Sequence, residues 1–143
     1  MSDDDAWAVI TPAGELAWYP LAATREVETL IGGERAPGAL DTATVTLRGI
    51  PPGRGPLKVL ASDVALLFPE DYLLNPVAAR TLDILSGGRI SQPWRGCVAL
   101  VEYEADQVTG EVLWPGVMCA HWAGQVAAAV IAAGGRVREM PGG

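Results

Sequence analysis

Asn75-Pro76-Val77-Ala78-Ala79-Arg80-Thr81-Leu82-Asp83-Ile84-Leu85-Ser86-Gly87-Gly88 is the stretch whose reading decides the fold. Asn75 offers a side-chain oxygen to the amides that a first helical turn leaves unpaired. Pro76, next to it, brings a helical φ and no N–H to waste. Ala78, Leu82 and Leu85 then fall at i, i+4 and i+7, which is one apolar stripe. Gly87 and Gly88 supply the left-handed conformation that closes a helix. The spacing predicts a short amphipathic helix over residues 75 to 86. It feeds an apolar run from Cys97 to Val101 with the character of a buried strand, and a helix passing into such a strand is an α/β unit.

Upstream, Trp7 to Thr11 and Glu15 to Tyr19 flank Pro12-Ala13-Gly14 and read as a hairpin. Val27, Leu30 and Ile31 mark a one-sided helix stopped by Gly32-Gly33. Thr42, Thr44 and Thr46 alternate with Ala43, Val45 and Leu47, the period of a strand with one wet face. Leu57 to Leu60 and Val64 to Phe68 read as further strands after the Pro/Gly connector Gly49 to Pro56. Downstream, Cys97 to Glu104 and Glu111 to Trp114 are expected to pair across a turn at Asp106 to Gly110. A last helix from about Met118 to Ala133 ends at Gly134-Gly135. The expectation is one α/β (α+β) domain over residues 6–135, a mixed β-sheet with two or three packed helices. An acidic disordered tail at 1–5 and a flexible tail at 136–143 flank it.

The hairpin, the helix, the Val64 to Phe68 run, the Asn75-Pro76-x-Ala78 helix start and the strand Gly96 to Val101, taken together, resemble an uncharacterised small-protein family of bacteriophages and actinobacteria, domain-of-unknown-function family 3846. The likeness spans about two thirds of the chain through short motifs. It implies an N-terminal two-stranded unit with a helix, then a strand, the capped helix and a final hydrophobic strand. It also implies a phage or mobile-element setting. No catalytic residue follows from it. The connector Gly49 to Pro56 and the region after Asp106 depart from the pattern.

Composition narrows the function classes. A chain of 143 residues, half of them hydrophobic, can bury a core without staples. Its mean hydropathy is +0.23, so extensive disorder is not expected. Net charge is −7, with Lys58 the single lysine beside nine arginines. That sign repels nucleic-acid phosphates and anionic membranes, so neither is expected as a partner. Two cysteines make no disulfide framework, and Met1-Ser2-Asp3-Asp4-Asp5 is acidic where a secretory signal needs basic residues. A reducing cytoplasm is the expected compartment. The apolar run Val117 to Ala133 is broken by His121 and Gln125 and is short for a bilayer.

His121 stands near Cys119 and Trp122, but residues two apart on a helix point about 200° apart. With Cys97 the set reaches three soft ligands, one short of a closed zinc site. A structural His121, bonded to Gln125 one turn on, is the expectation, with both thiols inert in apolar surroundings. Glu102 and Glu104 share one strand face and invite an acid/base reading. The plainer expectation is a solvated strand end. The connector Gly49 to Pro56 has three prolines where a phosphate cradle needs amides, and no nucleophile elbow or second histidine supports a triad. No motif calls for a cofactor or a metal.

The tryptophans are the remaining clue. Trp18-Tyr19 and Trp94-Arg95 stand near strand ends beside prolines or glycines, where partial exposure is expected, and exposed Trp, Tyr and Arg anchor interfaces. Trp18, Tyr19, Arg54, Trp94 and Arg95 are therefore the candidate binding residues. The expected function is a non-catalytic cytoplasmic binding or regulatory protein with a protein or small-ligand partner. The alternatives are a nucleotide-like ligand sequesterer, a ubiquitin-like modifier ending in Gly142-Gly143, and an enzyme built on a scattered carboxylate.

Overall fold

The computed structural model describes residues 5–32, 57–62, 65, 68–90, 93–105, 112–116 and 118–138. Its centre is β4 (Val98–Ala105), flanked by β1 (Asp5–Ile10) on one edge and β3 (Leu57–Leu60) on the other, both antiparallel to it. β2 (Glu15–Pro20) continues the sheet beyond β1, and β6 (Arg136–Val137) closes that side in parallel. Five strands thus run in the order β3-β4-β1-β2-β6, and β5 (Val112–Gly116) pairs with the far half of β4. The domain is single, and among the described residues its mixed sheet carries three α-helices of nine residues or more, α1 (Thr24–Gly32), α2 (Pro76–Ser86) and α3 (Ala120–Ala132).

Side-chain alternation along the strands separates two cores. Val98 and Leu100 of β4, Ala8 and Ile10 of β1, Leu16 and Trp18 of β2 and Leu57 and Val59 of β3 face α2 and α3. Ala99 and Val101, with Trp7, Val9 and Leu60, face Val27 and Ile31 of α1. A register shift between Asp5 and Trp7 lets Ala6 join Trp7 on the α1 side. The sheet is therefore sandwiched between two helical layers.

The hairpin forms where the sequence places it. Gly14 N–H donates to Thr11 O at 2.9 Å, and Gly14 takes φ +86°, the glycine position of a three-residue hairpin loop. α2 also begins as read: Asn75 Oδ1 accepts from Ala78 N at 3.0 Å, and Gly87 ends the helix in the left-handed region.

Four expectations change. Ala65, placed in a strand, is helical, because a short apolar run carries no period that separates strand from helix. Asp5, assigned to the acidic tail, opens β1 and is 4% exposed; its carbonyl accepts from Met118 N at 3.1 Å, which ties it to the entry of α3. Arg136 and Val137, assigned to the flexible tail, form β6. Their anchors are Arg136 N to Gly14 O at 2.8 Å and Arg138 N to Leu16 O at 2.7 Å, with an Arg136–Glu15 ion pair at 3.0 Å. Gly135 makes that docking possible, since a Cβ there would stand 2.7 Å from Val77 Cγ1 and 2.8 Å from Gly14 O. Glu102, expected to be solvated, is 6% exposed. The expected strand at Thr42 to Leu47 lies outside the described residues.

Candidate functional site

The capped helix of the opening motif leads to the site. Asn75 is buried, and besides capping α2 its Nδ2 donates to Ile10 O and Gly96 O, each at 2.9 Å. Its backbone N–H donates to Trp94 O at 2.8 Å, while Gly96 N–H donates to Leu73 O at 2.8 Å, so residues 73–75 run against 94–96. Leu74 and Arg95 are bridged antiparallel within that pair. One asparagine thus joins helix, hairpin strand and the entry of β4.

Arg95 completes the frame. Its guanidinium nitrogen Nη1 donates to Pro69 O at 3.0 Å and Tyr72 O at 3.1 Å, holding the tight turn Pro69–Asp71. The Tyr72 ring is buried, and its hydroxyl donates to Gly32 O at the end of α1 at 2.5 Å. Between these fixed points the chain presents Leu73, 74% exposed, and Leu74, 52% exposed. Large apolar side chains on a backbone tied at both ends lose little entropy when a partner covers them.

Of the candidate binding residues, Trp18 and Trp94 are 5% and 3% exposed and belong to the core under α2 and α3. The expected partial exposure is not found. Trp18 shares strand parity with Leu16, so it points inward however near the strand end it lies. Tyr19 points to the α1 side and is half-buried; burial raises its pKa, Glu26 adds to that rise and Arg138 opposes it. Arg95 is half-buried and occupied internally. Arg54 and Gly142-Gly143 lie outside the described residues. Nor do the described candidates Tyr19 and Arg95 converge. Tyr19 is level with Val101 through their shared partner Trp7. Arg95 lies six residues before Val101, toward the opposite end of the sheet.

A second polar locus surrounds Glu102. Its Oε1 accepts from Cys119 N at 3.0 Å, at the start of a helix whose N-cap residue Cys119 makes no side-chain cap of its own. A carboxylate there complements the helix dipole and satisfies one orphan amide. Sequence reasoning missed this role, although Glu102 continues the inward parity of Val98 and Leu100. His121 is exposed and accepts from Gln125 Nε2 at 2.7 Å, the pairing expected from their spacing. Cys97 packs on the α1 side and Cys119 on the other, so the sheet separates the thiols. Burial raises the pKa of Cys97. Among the described residues no group of three His, Cys, Asp or Glu side chains could hold a metal ion.

Among the described residues, Glu102 is engaged with the Cys119 amide and His121 with Gln125, and the exposed apolar pair is Leu73 and Leu74. Comparison with known proteins adds no identity: no family model, curated protein or solved structure matches the chain.

Proposed function

We propose that the protein is a non-catalytic binding or regulatory protein of phage or mobile-element type, which meets a partner protein in the cytoplasm through the loop Pro69–Leu74. The single observation that carries this is the pair Leu73 and Leu74, exposed on a backbone held by Arg95, Tyr72 and Asn75. Covering one such leucine contributes up to about 2 kcal/mol, and the fixed backbone keeps most of that gain. The mobile-element setting rests on the family resemblance of the Asn75-Pro76-x-Ala78 region.

The test is cross-linking mass spectrometry in cells that encode the protein, comparing the parent with Leu73→Glu/Leu74→Glu. The parent is expected to form cross-links from this loop to a defined partner, and the double variant to lose them while its circular dichroism spectrum is unchanged. A complex that survives both substitutions places the interface elsewhere and overturns the proposal.

A further inference from the structure

β6 is the last strand of the sheet on the β2 side, and its bonds to β2 divide its backbone polar groups between two edges. Arg136 N–H donates to Gly14 O at 2.8 Å and Arg138 N–H donates to Leu16 O at 2.7 Å. Along a strand the N–H and C=O of successive residues turn to opposite edges. Those of Val137, between the two arginines, therefore point away from β2, and neither makes a hydrogen bond among the described residues. Val137 is 39% exposed, so this outer edge meets solvent. A neighbouring outward N–H and C=O is the pair that a single residue of an antiparallel strand satisfies with two bonds.

Side chains decide which strand fits. Arg136 and Arg138 are two apart and leave the same face of β6, with Val137 on the other. Both arginines are exposed. Arg136 Nη2 donates to Glu15 Oε1 at 3.0 Å, which uses one of the five N–H groups a guanidinium carries. Arg138 makes no ion pair among the described residues. Arg80 Nη1 donates to Ala133 O at 3.4 Å and sets a third guanidinium near the root of the strand. On an incoming strand, the residues flanking the one opposite Val137 stand directly across from Arg136 and Arg138, where opposite charges stabilise and like charges repel. A second copy of this chain pairing through its own β6 would bring arginine against arginine. Short, charged edges reject indiscriminate pairing in this way, and the same two charges favour an acidic partner.

We propose that β6 is a docking edge for an extended acidic segment of another protein, which adds to the sheet as a further antiparallel strand and carries Asp or Glu on each side of an apolar residue opposite Val137. Main-chain bonds to Val137 supply the attachment, and the acid-apolar-acid alternation supplies the choice of partner. The contact is small, two backbone bonds and two solvent-exposed ion pairs, so a short peptide is expected to bind weakly, with Kd on the order of 1 mM. This edge is independent of the Leu73–Leu74 loop.

The test is an NMR titration of the isotope-labelled full chain with the capped peptide Thr-Glu-Val-Glu-Thr, carried to about 10 mM. The Val137 amide is expected to shift and its hydrogen exchange to slow. Three control peptides should leave it unchanged: Thr-Lys-Val-Lys-Thr, the rearranged Glu-Glu-Val-Thr-Thr, and the first peptide N-methylated at its valine. Arg138→Glu should abolish the preference for glutamate over lysine. Val137→Pro, which removes the outward N–H, should abolish binding, and slow exchange at residue 138 reports that β6 stays docked in both variants. A Val137 amide that does not respond to the glutamate peptide overturns the proposal. Equal binding of the rearranged peptide overturns it too, because the edge would then be a diffuse cationic patch, and equal binding by Val137→Pro would remove the added strand.

Discussion

Replacing Asn75 distinguishes a simple helix cap from a tie between elements. In Asn75→Ala the cap bond to Ala78 N is lost, which alone costs about 1 kcal/mol. The structure adds two further losses, since the carbonyls of Ile10 and Gly96 forfeit the Nδ2 donor in a site that is 1% exposed. Each orphaned buried acceptor costs roughly 1 to 3 kcal/mol, and relaxation recovers part of it, so the expected total is about 3 to 4 kcal/mol. Asn75→Asp isolates the two parts. It keeps an acceptor for Ala78 N but turns a carboxylate oxygen toward two carbonyls, so it should cost at least as much as alanine does. Urea unfolding followed by tryptophan fluorescence gives both values from the midpoint and slope. A loss near 1 kcal/mol in Asn75→Ala, with Asn75→Asp close to the parent, would show that the cap is the whole effect and refute the tie.

Gly135→Ala is expected to destabilise by about 1 to 3 kcal/mol, because its Cβ would stand 2.8 Å or less from Val77 Cγ1 and Gly14 O; hydrogen exchange at Arg136 and Arg138 should quicken as β6 loosens. Glu102→Leu should lower the unfolding free energy by about 1 to 2 kcal/mol through loss of the α3 cap, whereas Glu102→Gln, which keeps an acceptor oxygen, should lose less than half as much; equal losses would remove the cap argument. Alkaline stability follows from burial of Cys97, Tyr103 and Tyr19, whose folded pKa values lie above their ordinary 9.0 and 10.0. The unfolded chain releases those protons first, so it binds fewer than the folded one, and thermal midpoints should hold to about pH 9 and fall above it; a Cys97→Ala variant that declines identically from that pH would deny Cys97 its share.

Local signals were legible and distant ones were not. The Asn75-Pro76 start, the Gly87 stop and the Pro12-Ala13-Gly14 turn are written in residues whose backbone preferences act within one turn, and each forms as read. β6 pairs Arg136 with Glu15 across most of the chain, and two exposed residues carry no periodicity to announce that pairing. Glu102 departs from its residue type: carboxylates are usually solvated, yet its parity with Leu100 sends it inward, and the docking of α3 supplies the amide that satisfies it. Trp18 and Trp94 are buried despite their positions, since nearness to a strand end says nothing about which face a residue takes. Of the candidate site, Arg95 was legible as a residue of consequence, while its acceptors, Pro69 O and Tyr72 O, lie more than twenty residues away in sequence.

That displacement of Arg95 from surface anchor to internal strut links the fold to the proposed interface. A guanidinium is rigid, permanently charged and weakly hydrated, so it can hold two backbone carbonyls at fixed spacing where an ammonium on a flexible stem would not. The donor that sequence reading assigned to a partner is used to fix the turn before Leu73. Binding strength and preorganisation are then coupled through one side chain. Arg95→Lys should leave Leu73 and Leu74 in place chemically while freeing the backbone that presents them, and affinity for the loop's partner should fall with little loss of folding stability. Equal affinity in that variant would mean that the leucines bind without the frame, and the rigidity of residues 69–74 would then have no part in recognition.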